Sequence, residues 1–75
     1  MVEIDYGDTV EIKVDAPSPF QPRLRVSTCG FRIVENQVEA QAVGFAIGTR
    51  LWLVEKGDGS SFEIPEEFIE KVDEN

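Results

Sequence analysis

The stretch LWLVEKGDGSSFEIPEEFIEKV (residues 51–72) decides the fold. Its first four residues, Leu51 to Val54, are branched, aromatic and apolar, the composition of a strand. Lys56-Gly57-Asp58-Gly59 then supplies the turn chemistry that closes a hairpin onto Ser60-Ser61-Phe62-Glu63-Ile64. Pro65 suits the first position of a helical turn, and Glu66 and Glu67 stand where the dipole of that turn favours negative charge. A last short strand around Phe68 to Val72 completes the unit.

Upstream, Thr9 to Asp15 alternates, with Val10, Ile12 and Val14 on one face and charged residues on the other, as a half-buried strand does. Val2, Ile4 and Tyr6 precede it at the same spacing, with Gly7-Asp8 as a bend. Pro17, Pro19 and Pro22 deny ladder hydrogen bonds, so APSPFQP reads as an exposed loop or a polyproline II stretch. Phe20 in its middle is either a lid over the core or a contact residue on a stiff loop. Arg23 to Thr28 alternates again, with Leu24 and Val26 inward.

After Cys29-Gly30, FRIV and QVEAQAVGFAI read as two arms of a hairpin turning at Glu35-Asn36-Gln37. The apolar parity of the second arm changes at Ala42-Val43-Gly44, as a β-bulge would require. A helix across Val38 to Phe45 is the competing reading, because VEAQAV contains good helix formers. Gly48 turns the chain into the strand that carries Trp52. Five or six short antiparallel strands with no long helix describe an all-β protein, a small closed or half-open barrel. At 75 residues the chain is one domain, residues 1–75, too short to divide into two pieces that each bury a core.

The order strand, acidic-Gly hairpin, strand, proline-led turn, strand resembles SH3-like barrels, in which a distal hairpin leads to a single 3₁₀ turn and a final strand. The matching residues are Trp52-Leu53-Val54, Gly57-Asp58-Gly59, Phe62-Glu63-Ile64, Pro65 to Phe68 and Ile69 to Val72. Gly7-Asp8-Thr9-Val10-Glu11-Ile12 is similar to the first barrel strand of that superfamily. The resemblance covers about half the chain. It implies an SH3-like barrel of five to six strands with one 3₁₀ turn near Pro65. The superfamily serves as adaptors, complex subunits and RNA- or ribosome-binding modules. The chain has a single tryptophan and only Asp5-Tyr6 at its start. That departs from polyproline-binding SH3 domains, which carry an aromatic first strand and a tryptophan pair.

Charge narrows the partners. The net charge is −8, and residues 1–15 sum to −4, residues 16–54 to +2 and residues 55–75 to −6. Such a field repels phosphate backbones and anionic membranes and speeds encounter with basic partners. The four arginines, Arg23, Arg25, Arg32 and Arg50, all lie in the middle segment and suggest a local anion-binding face. No apolar run approaches the roughly 20 residues that span a bilayer, and the acidic N-terminus lacks the basic start of a signal peptide, so a cytoplasmic protein is expected.

Residue types limit the chemistry. There is no histidine, and Cys29 is the one cysteine. That removes the commonest general base, an internal disulfide and a multi-thiolate metal site. Cys29 beside Gly30 reads as a plain buried thiol. Glu55, Asp58, Ser60 and Glu66 offer oxygen ligands but not at EF-hand spacing. We therefore expect no cofactor, no metal and no enzymatic activity.

Trp52 remains open between two fates. Either Trp52 and Val54 face the core, leaving Leu51 and Leu53 uncovered, or the reverse; one apolar group then needs burial on both faces or a partner surface. The expected protein-binding surface comprises Phe20, Leu51, Trp52 and Leu53, with Glu63, Glu66, Glu67 and Glu70 steering the approach. The sequence thus points to a small protein-interaction module or complex subunit. The alternative is an acidic inhibitor or immunity-type protein that blocks a basic nucleic-acid-acting partner, and pairing of the uncovered strand in a homodimer is a third.

Overall fold

Alternation carries the sheet. Val10 and Ile12 of β1 (Thr9–Ile12), Val26 of β2 (Arg25–Ile33), Trp52 and Val54 of β3 (Arg50–Glu55), Ile64 of β4 (Ser61–Pro65) and Ile69 of β5 (Ile69–Lys71) turn to one side and form a single buried cluster. The computed structural model describes residues 4–72. The expected place of Val2 in an N-terminal alternation and the expected fraying of residues 73–75 lie outside that range.

All pairings are antiparallel, in the spatial order β4-β3-β2-β1-β5. The two outer strands are joined by the 3₁₀ turn Glu66–Phe68 alone. In a flat sheet of five strands they would lie about 19 Å apart, and the four Cα steps from Pro65 to Ile69 reach roughly 14 Å even when extended. The sheet therefore has to curl on itself, and the core is the inside of the curl. β5 pairs with β1 from Ile69 to Lys71, and two further bonds flank that ladder, Lys13 N–H to the Phe68 carbonyl at 2.8 Å and Val72 N–H to the Thr9 carbonyl at 3.1 Å. The protein is all-β in class, with five strands, one short helix and the 3₁₀ turn expected near Pro65. Pro65 ends β4 in extended conformation and precedes the turn instead of occupying its first position.

Residues 34–49 correct the sequence reading. In place of the second hairpin arm the chain forms helix α1 (Gln37–Val43). Asn36 is its cap, accepting the Glu39 N–H at 3.0 Å, and the Glu39 carboxylate accepts the Glu35 N–H at 2.8 Å. Gly44, at φ +82°, ends the helix by donating to the Ala40 carbonyl. The parity change at Ala42-Val43-Gly44 is thus a helix end. The β-bulge lies elsewhere, between Thr28 and Gly30, where the β2–β3 register shifts. β2 runs through that bulge and absorbs the FRIV segment as far as Ile33. β1 stops at Ile12, and Val14 is exposed.

The start of β3 is buried on both sides. Trp52 faces the core at 2% exposure, whereas Leu51 faces out and is still only 1% exposed. Among the described residues no helix is long and apolar enough to cross a membrane.

Candidate functional site

The long β1–β2 connection brings its aromatic residue to β4. It folds as successive turns, with Ala16 N–H bonding to the Lys13 carbonyl, Phe20 N–H to Pro17 and Leu24 N–H to Gln21. It closes through Ile12 N–H to the Leu24 carbonyl and Arg23 N–H to the Ile12 carbonyl. Phe20 is delivered over the end of β4, half-buried, stacked on Phe62 with ring centroids 5.9 Å apart. This geometry supports the lid reading, and the same ring also walls a cleft. Pro17, Pro19 and Phe20 form one side of it, Val43 and Phe45 at the end of α1 form the other, Leu51 is the floor and Glu63 the flank.

The outer face of the sheet continues that cleft. Cross-strand partners share a face, so Leu53 stands beside Glu63, and Arg32 beside Leu51. Leu53 is 40% exposed. Arg32 grips Glu63 with two bonds, Nε to Oε2 at 2.7 Å and Nη2 to Oε1 at 2.9 Å, and lies 3.9 Å from Glu39. The hydrogen-bonded guanidinium holds the Glu63 carboxyl below its ordinary range, and Glu63 in turn raises Arg32. The charged rim of the cleft is therefore neutralised from within.

Of the eight residues expected to form a binding surface, Phe20, Leu51, Leu53 and Glu63 come together here. Trp52 does not join them, because its parity sends it into the core. Its indole N–H donates to Glu66 Oε2 at 2.7 Å, and Arg50 Nη1 lies 3.5 Å from the same oxygen. Glu66 is thus a structural acceptor on the opposite side of β3. Glu67 and Glu70 are exposed and have no cation partner among the described residues.

Other expected candidates resolve by geometry. Asp58 accepts the Ser60 N–H at 3.0 Å and its hydroxyl at 2.7 Å, bonds that hold its carboxyl below the ordinary value and order the hairpin turn. No group of three or more metal-ligating side chains is found among the described residues. Three of the four arginines expected to form an anion-binding face are committed to carboxylates instead, Arg25 to Glu11, Arg32 to Glu63 and Arg50 to Glu66, and Arg23 alone has no such partner among the described residues.

The sequence reading missed Phe31 and Ile33. They are 51% and 42% exposed at the far end of β2, where Phe31 packs against Trp52 with centroids 5.0 Å apart and carries the Arg50 guanidinium 4.7 Å above its ring. Their period-two spacing was visible, but the bulge that turns them past the core was not. Comparison with known proteins finds no match: no family model, no curated protein and no solved structure aligns with the chain.

Proposed function

We propose that this chain is a non-catalytic protein-interaction module of the SH3-like barrel type, docking a partner on the outer face of β3 and β4. The observation that carries the reading is Leu53, exposed beside the apolar cleft of Phe20 and Phe45, with the neighbouring Arg32–Glu63 charges already satisfied. An apolar spot whose polar rim needs no external counter-charge suits a protein surface. The strand order, the β3–β4 hairpin and the 3₁₀ turn between the outer strands support the barrel type. A cytoplasmic setting is part of the reading, supported by the free, half-buried thiol of Cys29.

A second reading, the acidic inhibitor of a basic nucleic-acid-acting protein, draws on the net charge of −8 and on Glu67 and Glu70, which have no cation partner among the described residues. Affinity capture from lysate, washed in parallel at low and high salt, separates the two. A protein retained at both salts by the natural chain and lost from Leu53→Asp supports the module. A basic nuclease that salt releases, and that Leu53→Asp still holds but Glu67→Gln with Glu70→Gln does not, supports the inhibitor.

A further inference from the structure

β3 pairs with β2 from Ser27 to its end at Ile33, whereas the other side of β2 is covered only near its start. β1 covers it from Arg25 to Ser27, and two further bonds, Thr28 N–H to the Asp8 carbonyl and Gly7 N–H to the Thr28 carbonyl, extend the cover by one residue. There the chain turns away at Gly7, φ +84°. β3 meanwhile continues alongside β2 to Ile33, and Val34 N–H donates to the Thr49 carbonyl on that side. Antiparallel bonding alternates, so Arg32 and Val34 direct their backbone groups to the β3 side, and Phe31 and Ile33 direct theirs to the vacated side. Neither Phe31 nor Ile33 makes a backbone hydrogen bond there with any other described segment.

We propose that this half of β2, centred on Phe31 and Ile33, is a strand-addition site for an extended, basic segment of a partner protein. The open donors and acceptors require an extended backbone, since strand pairing alone satisfies them in register. Phe31 and Ile33 share a face and are both half exposed, which suits apolar residues at alternate positions of the added strand. Charge sets the sign of its ends. Asp5, whose carbonyl accepts the Thr28 hydroxyl, lies at one end of the open edge, and Glu35 follows its other end. Both are exposed and neither is paired with a cation among the described residues.

The same charges reject a second copy of this chain. Antiparallel self-pairing about Arg32 would place Glu35 of one copy opposite residue 29 of the other, beside its Asp5, between molecules of net charge −8. This site is separate from the β3–β4 cleft, so Leu53→Asp leaves it intact and the two readings fail separately.

Amide hydrogen exchange on the full chain tests it, with a synthetic peptide of alternating lysine and valine, seven residues long, as the probe. In the free protein the Arg32 and Val34 amides should be protected and those of Phe31 and Ile33 should exchange at least tenfold faster. The peptide should slow Phe31 and Ile33 at least tenfold, and a version N-methylated at alternate amides should not. Ile33→Pro removes the outward donor while sparing the β3 ladder and should abolish the effect; Ile33→Ala should keep most of it. Four results would overturn the proposal. Protection of Phe31 and Ile33 in the free protein, lost on removing residues 1–3, would give the edge to the chain's own start. Protection that rises with protein concentration, with a dimer mass in light scattering, would give it to a second copy. Equal binding of the N-methylated peptide would deny strand addition, and equal binding of a glutamate-valine peptide would deny the basic partner.

Discussion

Replacing Glu66 should destabilise the fold through Trp52, a residue it does not neighbour in sequence. The indole is 2% exposed, and its N–H has Glu66 Oε2 as acceptor at 2.7 Å. In Glu66→Ala the N–H stays inside the wall of the core without that acceptor, a loss of about 1–3 kcal/mol for an unsatisfied buried donor. The Arg50 contact to the same oxygen is longer, 3.5 Å, and joins half-exposed groups, so it adds about 0.2–1 kcal/mol at most. The Glu66 side chain is itself 39% exposed, which screens part of its charge and favours the lower half of the range, about 2 kcal/mol in total. For a domain this size each kcal/mol moves Tm by about 4–8 °C, so Glu66→Ala should lower Tm by roughly 8–16 °C. Glu66→Gln keeps an acceptor and loses only the charge, and should fall by about half as much. Trp52 is the only tryptophan, so its fluorescence during thermal unfolding reports on this site directly. Arg50→Ala separates the ion pair from the indole bond. If Glu66→Ala and Glu66→Gln both melt with the natural protein and the emission maximum does not move, the indole N–H is hydrated and Glu66 does not hold it.

Three further outcomes follow from the geometry. Because Arg32 depresses the Glu63 carboxyl, the pair stabilises the fold fully above the ordinary Glu value near 4.3 and loses that contribution as pH falls through the lower folded-state value. In urea titrations, Glu63→Gln should therefore be less stable than the natural protein near neutrality, and the gap should narrow as pH falls below the ordinary Glu range; a gap unchanged with pH would refute the pairing. Asn36→Ala should cost about 0.5–2 kcal/mol by removing the helix cap, and Asn36→Ser about a few tenths, read by chemical denaturation. Phe20→Ala should lose about 3 kcal/mol or less, since the ring is half-buried on Phe62, and Phe20→Leu should recover most of it.

What the sequence made legible was local turn chemistry. Lys56 to Gly59 specifies a reversal within four residues and Pro65 followed by two glutamates a single helical turn, and both turns form where expected, with Pro65 one position before its turn. The middle of the chain was less legible because α1 is seven residues long with no buried residue, so no 3.6-residue apolar period exists to be read. Its signals were the ends, Asn36 and Gly44, which a hairpin reading also accommodates. The ambiguity at Leu51 and Trp52 has the same origin. Trp52 is buried in the core by its parity, and Leu51 is buried as well because Val43 and Phe45 return over the outer face beside it, a contact made after the strand is placed and invisible to any pattern within it.

The distribution of ion pairs gives a kinetic expectation for any partner. Arg25, Arg32, Arg50 and Lys71 each hold a carboxylate of the sheet or its margins, at Glu11, Glu63, Glu66 and Asp8. Four of the seven cations are thus committed inside the fold, and the acids left without a cation partner among the described residues include Asp5, Glu35, Glu67 and Glu70, all exposed. A partner meets an acidic field interrupted by apolar strips at Leu53 and at Phe31 with Ile33. The field acts at a distance and sets the rate of encounter, whereas the strips act on contact and set the lifetime of the complex. Raising ionic strength from about 0.1 M to about 1 M shortens the screening length from about 10 Å to about 3 Å. For a basic partner, surface plasmon resonance should then show association slowed at least tenfold and dissociation changed less than threefold. The opposite split, a constant association rate with dissociation accelerated by salt, would mean that exposed ion pairs hold the complex and would shift the binding surface to Glu67 and Glu70.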